Sequence, residues 1–136
     1  MHLAKSSASA AHWSEQQYRS LVLPDAAAST LTLVAQSPEN SIIVGFLIAR
    51  HVAPEWEIEN IVVAPETKRK GVGTGLVQEL VKQAQQTNSE TVFLEVRDSN
   101  TAARALYERA GFFEVGRRKS YYLNPLEDAI LYCKKL

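Results

Sequence analysis

The sequence has one cysteine, no excess of either charge and no long apolar run, and each absence excludes a class of protein. Cys133 has no partner for an internal disulfide, and no CxxC or His/Cys cluster is present to bind zinc. Fifteen basic and fifteen acidic side chains cancel, whereas duplex-binding and membrane-surface proteins need a net basic face. No apolar run approaches the roughly 18 residues of a spanning helix. We therefore expect a cytoplasmic protein without metal, nucleic-acid or membrane partners.

The residues that are present are sufficient for one globular domain. The chain has 136 residues, of which 46% are apolar, and a domain of this size buries roughly two thirds of its unfolded surface. We predict a single domain over residues 1–136. A short helix is predicted near its start, because Ser14 fits an N-cap, Gln17 fits the reciprocal capping position, and Pro24 would end the helix.

Apolar runs predict a sheet. Leu31–Ala35 and Ile42–His51 are separated by a turn sequence, so we predict an antiparallel hairpin, and Trp56–Val63 adds a third strand. Thr91–Val96 is apolar on both faces, which predicts a central strand covered from both sides. The predicted closing strands are Phe112–Val115 and Asp128–Cys133.

Two helices are predicted between these strands. In the first, apolar residues recur with a helical period: Leu76, Val77, Leu80, Val81 and Ala84. The second runs from Thr101 to Ala110, and Gly111 follows it as a C′ residue. This order predicts an α/β protein with a mixed sheet and helices on its faces. Ligands of such sheets bind at the carboxyl ends of strands, where the sheet opens.

The most informative stretch is Lys68–Gly75, which joins the third strand to the first helix. Its glycines permit a tight turn and close approach to a ligand, and unpaired N–H groups of the helix's first turn point at whatever is bound there. The stretch fits neither the triphosphate-loop pattern nor the dinucleotide spacing. It therefore predicts an anion site suited to a pyrophosphate, and a simple tight connection is the alternative.

Several motifs resemble those of one family. Arg69–Gly75 resembles the acetyl-CoA signature, (Q/R)-x-x-G-x-(G/A), of the GNAT acetyltransferases. Leu94–Asn100 and Ala105–Phe112, followed by Arg117–Tyr122 and Glu127–Ile130, are similar to the RimI group of ribosomal-protein-alanine N-acetyltransferases. The resemblance implies a mostly antiparallel GNAT-type sheet flanked by helices, acetyl-CoA as co-substrate, no metal, and transfer to the N-terminal α-amine of a protein such as a ribosomal protein.

The resemblance also implies where acetyl-CoA binds. The diphosphate is expected on the N–H groups of the glycine loop, and the pantetheine arm beside the third strand, with Asn100 touching the cofactor. Asn100 can also cap the second helix, and that role alone explains it physically. The expected cofactor-binding residues are Ile61, Val62, Val63, Arg69, Lys70, Gly71, Val72, Gly73, Thr74 and Asn100.

Three residues are candidates for catalysis. Glu95 lies on the predicted central strand, where a carboxylate loses hydration and becomes a better proton acceptor; the resemblance makes it the base. Glu57 matches the strand position at which other GNAT enzymes carry their base, and remains the rival. The resemblance makes Tyr107 the acid that protonates the departing thiolate. A buried structural Glu95 and a core Tyr107 are the alternatives.

The chain departs from the family at its start. Trp13–Tyr18 is similar to the family's first-helix region. Only about eleven residues precede it, so the usual N-terminal strand is expected to be missing or shortened. The sheet would then expose an edge or recruit a neighbouring chain, which makes a homodimer a hypothesis. By the same resemblance, the loop after Phe112–Val115, with Arg117, Arg118 and Lys119, is expected to border the peptide groove. Transfer to lysine or a small amine, and a non-catalytic acyl-CoA-binding subunit, are the alternative functions.

Overall fold

A seven-stranded sheet and two helices make up the part of the chain that is described here. The computed structural model describes residues 17–24, 29–65 and 71–136. The strands lie in the order β1-β2-β3-β4-β5-β7-β6, and all neighbours are antiparallel except β4 and β5. The elements are β1 Gln17–Pro24, β2 Ser29–Gln36, β3 Ile43–Val52, β4 Glu55–Val63, α1 Val72–Gln86, β5 Thr91–Arg97, α2 Thr101–Arg109, β6 Phe113–Tyr122 and β7 Glu127–Lys135. The predicted mixed, mostly antiparallel sheet and the β2–β3 hairpin are confirmed.

The helix predicted near the start of the chain is wrong over Gln17–Pro24, which forms β1; its proposed cap, Ser14, lies outside the described residues. Strand β1 pairs along its whole length with β2. The unpaired backbone edge of β2 offers a row of hydrogen bonds, and such tertiary pairing overrides a weak local helix signal. The usual N-terminal strand was expected to be missing or shortened, but β1 occupies this edge of the sheet beside β2. Homodimer formation stays a prediction that solution molecular weight can test.

Helix α1 packs its predicted apolar stripe against the sheet. Leu76, Leu80 and Ala84 are fully buried, and the helix contacts β2, β3 and β4. Polar residues on its other side, such as Gln78 and Lys82, are exposed. The 3.6-residue period of the apolar positions thus sets which side of α1 faces the core.

Strand β5 is central, as predicted, but its two faces differ. Val92 and Leu94 are buried under the helices, whereas Phe93 and Glu95 on the other face are only half-buried. The predicted cover is therefore complete on one face and only partial on the other. Apolar composition alone cannot reveal this, because Phe93 is as apolar as the residues of the buried face.

Strand β6 is longer than predicted. It continues from Phe113 to Tyr122, so Arg117 and Arg118, expected in a loop, lie in a strand and pair with Ile130 and Ala129 of β7. Charged residues suit an edge strand, since they discourage pairing with other chains. The register shifts twice along β6, and such bulges obscure the alternation by which a strand is predicted. None of the helices in the described residues is long and apolar enough to cross a membrane.

Candidate functional site

The sheet opens between β4 and β5, its one parallel pair in the described part of the chain. Their pairing starts at Glu55 with Thr91 and ends at Ile58 with Leu94, although both strands continue. A register shift between β3 and β4 accounts for the early end of this pairing. Ala49 of β3 pairs with Ile58, whereas Ile48 pairs with Asn60. Such a bulge bends the strand that carries the extra residue. We call the point where β4 and β5 part the fork.

Beyond the fork, β4 has backbone groups that β5 does not use. The N–H of Ala64 donates to the carbonyl of Val44 at 2.9 Å. Because hydrogen-bonded and non-bonded positions alternate in an antiparallel pair, Val62 also faces β3, and the amides of Ile61 and Val63 point into the opening. An extended ligand could pair with these two residues as a strand would. Val62, predicted with them, has its backbone directed to β3 and its side chain 43% exposed.

The glycine loop begins α1 with a residue in the left-handed region. Gly71 is the N-cap, with φ of 83°, and it supplies no side-chain cap. The first helical bond runs from the Gly75 N–H to the Gly71 carbonyl at 2.8 Å. The N–H groups of Val72, Gly73 and Thr74 therefore have no carbonyl acceptor within the helix, because the helix does not extend one turn before them. The first turn has no acidic residue. These amides and the positive end of the helix dipole form a site for an anion. Lys68, Arg69 and Lys70 lie outside the described residues.

The start of α1 is held close to two other elements. A Cβ atom on Gly73 would lie 3.2 Å from Leu106 of α2 and 3.6 Å from Val63 of β4. Only a residue without a side chain fits this spacing without displacing a neighbour. The amides of the first turn, the open edge of β4 and α2 thus meet at one end of the fork.

Asn100 caps α2, as predicted. Its Oδ1 accepts a hydrogen bond from the Ala103 N–H at 3.1 Å. The other end of α2 also follows the prediction, since Gly111 has φ of 94° just after the helix.

Replacing Asn100 by Ala separates capping from cofactor contact. We expect Asn100→Ala to lower the free energy of unfolding by about 1 kcal/mol, because the Ala103 N–H loses its acceptor. Asn100→Asp keeps a capping oxygen and is the matched control. Chemical unfolding measures the stabilities, and acetyl-CoA titration of both variants shows whether the amide also contacts the cofactor. Equal stability of the Ala variant and the unchanged protein would contradict the cap.

Two carboxylates, those of Glu95 and Glu57, lie near the fork. Glu95 is the first β5 residue beyond the last pair with β4; its side chain is 18% exposed and lies 3.2 Å from the Arg118 Nε. Glu57 pairs with Phe93, before the fork. Burial raises the pKa of Glu57, the negative charges of Glu59 and Glu95 raise it further, and Arg50 opposes them. The structure therefore brings both predicted candidates for the base to one face of the sheet.

Tyr107 lies on the opposite face. Its ring is 4% exposed and packs against Phe112 and Tyr132, with centroids 5.8 Å and 6.4 Å away. Tyr132 pairs in register with Leu94, so both belong to the helix-covered face, whereas the next residue, Glu95, points to the other one. Burial raises the pKa of Tyr107 to about 12. Glu95 and Tyr107 thus lie on opposite sides of the sheet.

The raised pKa of Tyr107 predicts a loss of stability in alkali. The phenol ionises near pH 10 in the unfolded chain and near 12 in the folded one, so the native state holds more protons between these values. Its contribution is complete below about pH 10 and is lost as pH rises towards 12, by about 3 kcal/mol. Urea unfolding at pH 9 and pH 11 should show a smaller decrease for Tyr107→Phe than for the unchanged protein. Tyr121→Phe, at an exposed tyrosine, is the matched control; equal decreases for all three proteins would contradict the prediction.

Two contributors to this site were missed in the sequence. The Arg118 contact with Glu95 spans two strands, and it depends on the β6 register, which no local pattern reveals. Glu59 is the bulged residue of β4, and polar and apolar residues alternate around it in the sequence as in an ordinary strand. A search for carboxylates near the end of the third strand would have found Glu59, but not its bulge.

The family of the chain follows from comparison with known proteins. The model of the acetyltransferase (GNAT) family matches residues 3–112, which is most of the chain. The chain belongs to this family. This GNAT protein is 39% identical over 98 residues to the [ribosomal protein bS18]-alanine N-acetyltransferase of Escherichia coli strain K12, a match that covers 71% of the chain and 66% of that enzyme. The chain therefore matches slightly less than two thirds of that relative's length.

Solved structures agree with the family assignment. The ribosomal-protein-S18-alanine N-acetyltransferase from Escherichia coli superposes with a TM-score of 0.68 and 28% identity, over 99% of this GNAT chain and 90% of that one. A putative streptothricin acetyltransferase from Bacillus anthracis, solved in complex with acetyl coenzyme A, gives a TM-score of 0.72 and 25% identity over 79% and 62% of the two chains. The predicted GNAT fold and the resemblance to ribosomal-protein-alanine N-acetyltransferases are confirmed.

Proposed function

We propose that this chain transfers the acetyl group of acetyl-CoA to the N-terminal α-amine of a protein in the cytoplasm, with an alanine of a ribosomal protein as the preferred acceptor. The observation that carries the proposal is the fork, at which Glu95 lies beside the unused backbone edge of β4. The 39% identity to an enzyme named for that reaction supports the choice of acceptor.

The glycine loop suits the diphosphate of acetyl-CoA, which supplies the acetyl group as an activated thioester when bound. The amides of Val72, Gly73 and Thr74 lack carbonyl partners one turn earlier, and no acidic side chain of the first turn opposes an anion. We assign these amides to the diphosphate and the backbone of Ile61 and Val63 to the pantetheine arm. A GNAT relative solved in complex with acetyl coenzyme A supports acetyl-CoA as the ligand. Arg69 and Lys70 remain predicted contacts.

Glu95 is the proposed base. An α-amine must lose a proton before it can attack a thioester, and because its pKa is near 8 it needs only modest help. Glu95 lies at the apex of the fork and accepts this proton directly or through a water. Glu57 lies one register position before the fork on the same face, so we assign it the attraction of the acceptor's ammonium group.

Tyr107 is proposed to stabilise the leaving sulfur from the other face. With a pKa of about 12, its phenol is protonated throughout the neutral range. We therefore assign Tyr107 the role predicted from the sequence, donation of its phenol proton to the departing thiolate, after which solvent restores the proton to the phenolate.

A peptide panel tests this function. The protein is incubated with acetyl-CoA and with peptides that begin with a free Ala, a blocked Ala, or a blocked Ala followed by an internal Lys. We expect acetylation only where the α-amine is free, as measured by mass spectrometry. Acetylation confined to the lysine side chain, or to a small-molecule amine, would establish the first alternative. Calorimetric binding of acetyl-CoA without turnover on any amine would establish a non-catalytic acyl-CoA-binding subunit.

A further inference from the structure

The side chain of Arg118 crosses from the edge strand to the fork. Its Nε lies 3.2 Å from the Glu95 Oε1, although the two residues are on β6 and β5, with β7 between them. Arg118 pairs in register with Ala129, whereas Glu95 pairs with Leu131. The guanidinium therefore reaches diagonally over β7, where the methyl group of Ala129 leaves room for it.

The other cation nearby has different partners. Arg97 lies 3.5 Å from Glu127 and over the ring of Tyr122 at 4.3 Å. Among the described residues, Arg118 is the cation that forms an ion pair with Glu95, and the ring of Tyr121 lies 5.4 Å beneath its guanidinium. Among the described residues, the other titratable or charged groups on this face include Arg50, Glu55, Glu57, Glu59, Tyr122, Glu127, Cys133 and Lys135.

We propose that Arg118 is a positioning residue, which holds the Glu95 carboxylate at the fork. The proposal rests on the proposed function, because it gives Glu95 the role of base. A carboxylate that must accept a proton has to lie within hydrogen-bond reach of it, and the planar, rigid guanidinium of an adjacent arginine restricts the orientations that the carboxylate can take. Arg118 acts through Glu95 and not on the substrate itself.

The expected size of the effect follows from exposure. The Arg118 side chain is 54% exposed and that of Glu95 is 18% exposed, so water screens part of their attraction. We expect loss of the guanidinium to make the Glu95 side chain more mobile and to lower kcat about threefold, with the KM for the acceptor unchanged within twofold.

The test compares Arg118→Gln, Arg118→Lys and the control Arg109→Gln, which removes one exposed positive charge from α2. Carbon-13 NMR relaxation of the Glu95 side chain measures its mobility without any turnover, and steady-state kinetics with an N-terminal peptide measures kcat and KM separately. We expect a more mobile Glu95 and a lower kcat in Arg118→Gln, partial recovery of both in Arg118→Lys, and neither change in Arg109→Gln.

The two readouts separate the possible failures. Unchanged mobility of Glu95 in Arg118→Gln would overturn the role of Arg118, whatever the activity. A more mobile Glu95 in a protein that acetylates no α-amine would support the ion pair and overturn the proposed function instead. An equal change in Arg109→Gln would mean that net charge, and not the position of Arg118, governs Glu95, and would also overturn the inference.

Discussion

Replacing Glu95 by Gln is expected to lower kcat for an N-terminal peptide about a hundredfold, with the Kd of acetyl-CoA unchanged within twofold. The substitution keeps the size of the side chain but removes its ability to accept a proton, and general bases contribute about 10²–10⁴-fold. Cofactor affinity should persist, because the proposed diphosphate contacts come from the first turn of α1 and not from β5. Steady-state kinetics and calorimetry measure the two quantities.

Glu57→Gln is the matched control for this experiment. It removes a carboxylate from the same face, one register position before the fork, and we expect mainly a higher KM for the acceptor. A larger loss of kcat in Glu57→Gln than in Glu95→Gln would transfer the role of base to Glu57. Unchanged turnover in Glu95→Gln would remove Glu95 from the mechanism.

Replacing Thr74 by Glu is expected to weaken acetyl-CoA binding about 10- to 100-fold while leaving the fold intact or slightly more stable. Thr74 is in the first turn of α1, which has no acidic residue. A carboxylate there interacts favourably with the helix dipole, by about 0.3–1 kcal/mol, but repels a diphosphate bound to the same amides. Binding and stability therefore move in opposite directions, which a general loss of structure cannot produce.

Thr74→Gln, with the same length and no charge, is the control and should bind acetyl-CoA far more tightly than Thr74→Glu. Calorimetry gives the two Kd values, and thermal unfolding in the absence of cofactor gives the two stabilities. If both variants bind equally well, the diphosphate does not lie at the start of α1, and the assignment of the glycine loop fails.

The elements with regular periods were predictable from the sequence. The apolar stripe of α1 and the Asn100 and Gly111 signals at the ends of α2 are local, and the structure agrees with them. Strand β1 was not predictable. The capping pattern that begins just before it indicates a helix, and its residues form a strand only by pairing with β2. Long-range pairing of this kind leaves no local signal.

The chemistry of the site was predictable in part. Glu57, Glu95 and Tyr107 were identified as candidates, but not their distribution over two faces, which depends on the register of β5 with β4 and β7. The bulge in β4 and the reach of Arg118 both arise from shifts of one residue between strands. A shift of one residue reverses the face of every side chain beyond it, so single-sequence reasoning could not place these groups.

The separation of Glu95 and Tyr107 across the sheet has a consequence for the size of the acceptor. In the proposed reaction the acceptor amine comes from the Glu95 face and the thioester from the Tyr107 face, so the amine need not pass the adenine end of acetyl-CoA or slip between α1 and α2. A short flexible tail is then enough to reach the fork, while the bulky body to which it is attached stays outside. A protein already docked in a large particle would thus remain a possible target, provided that a few residues of its tail project freely.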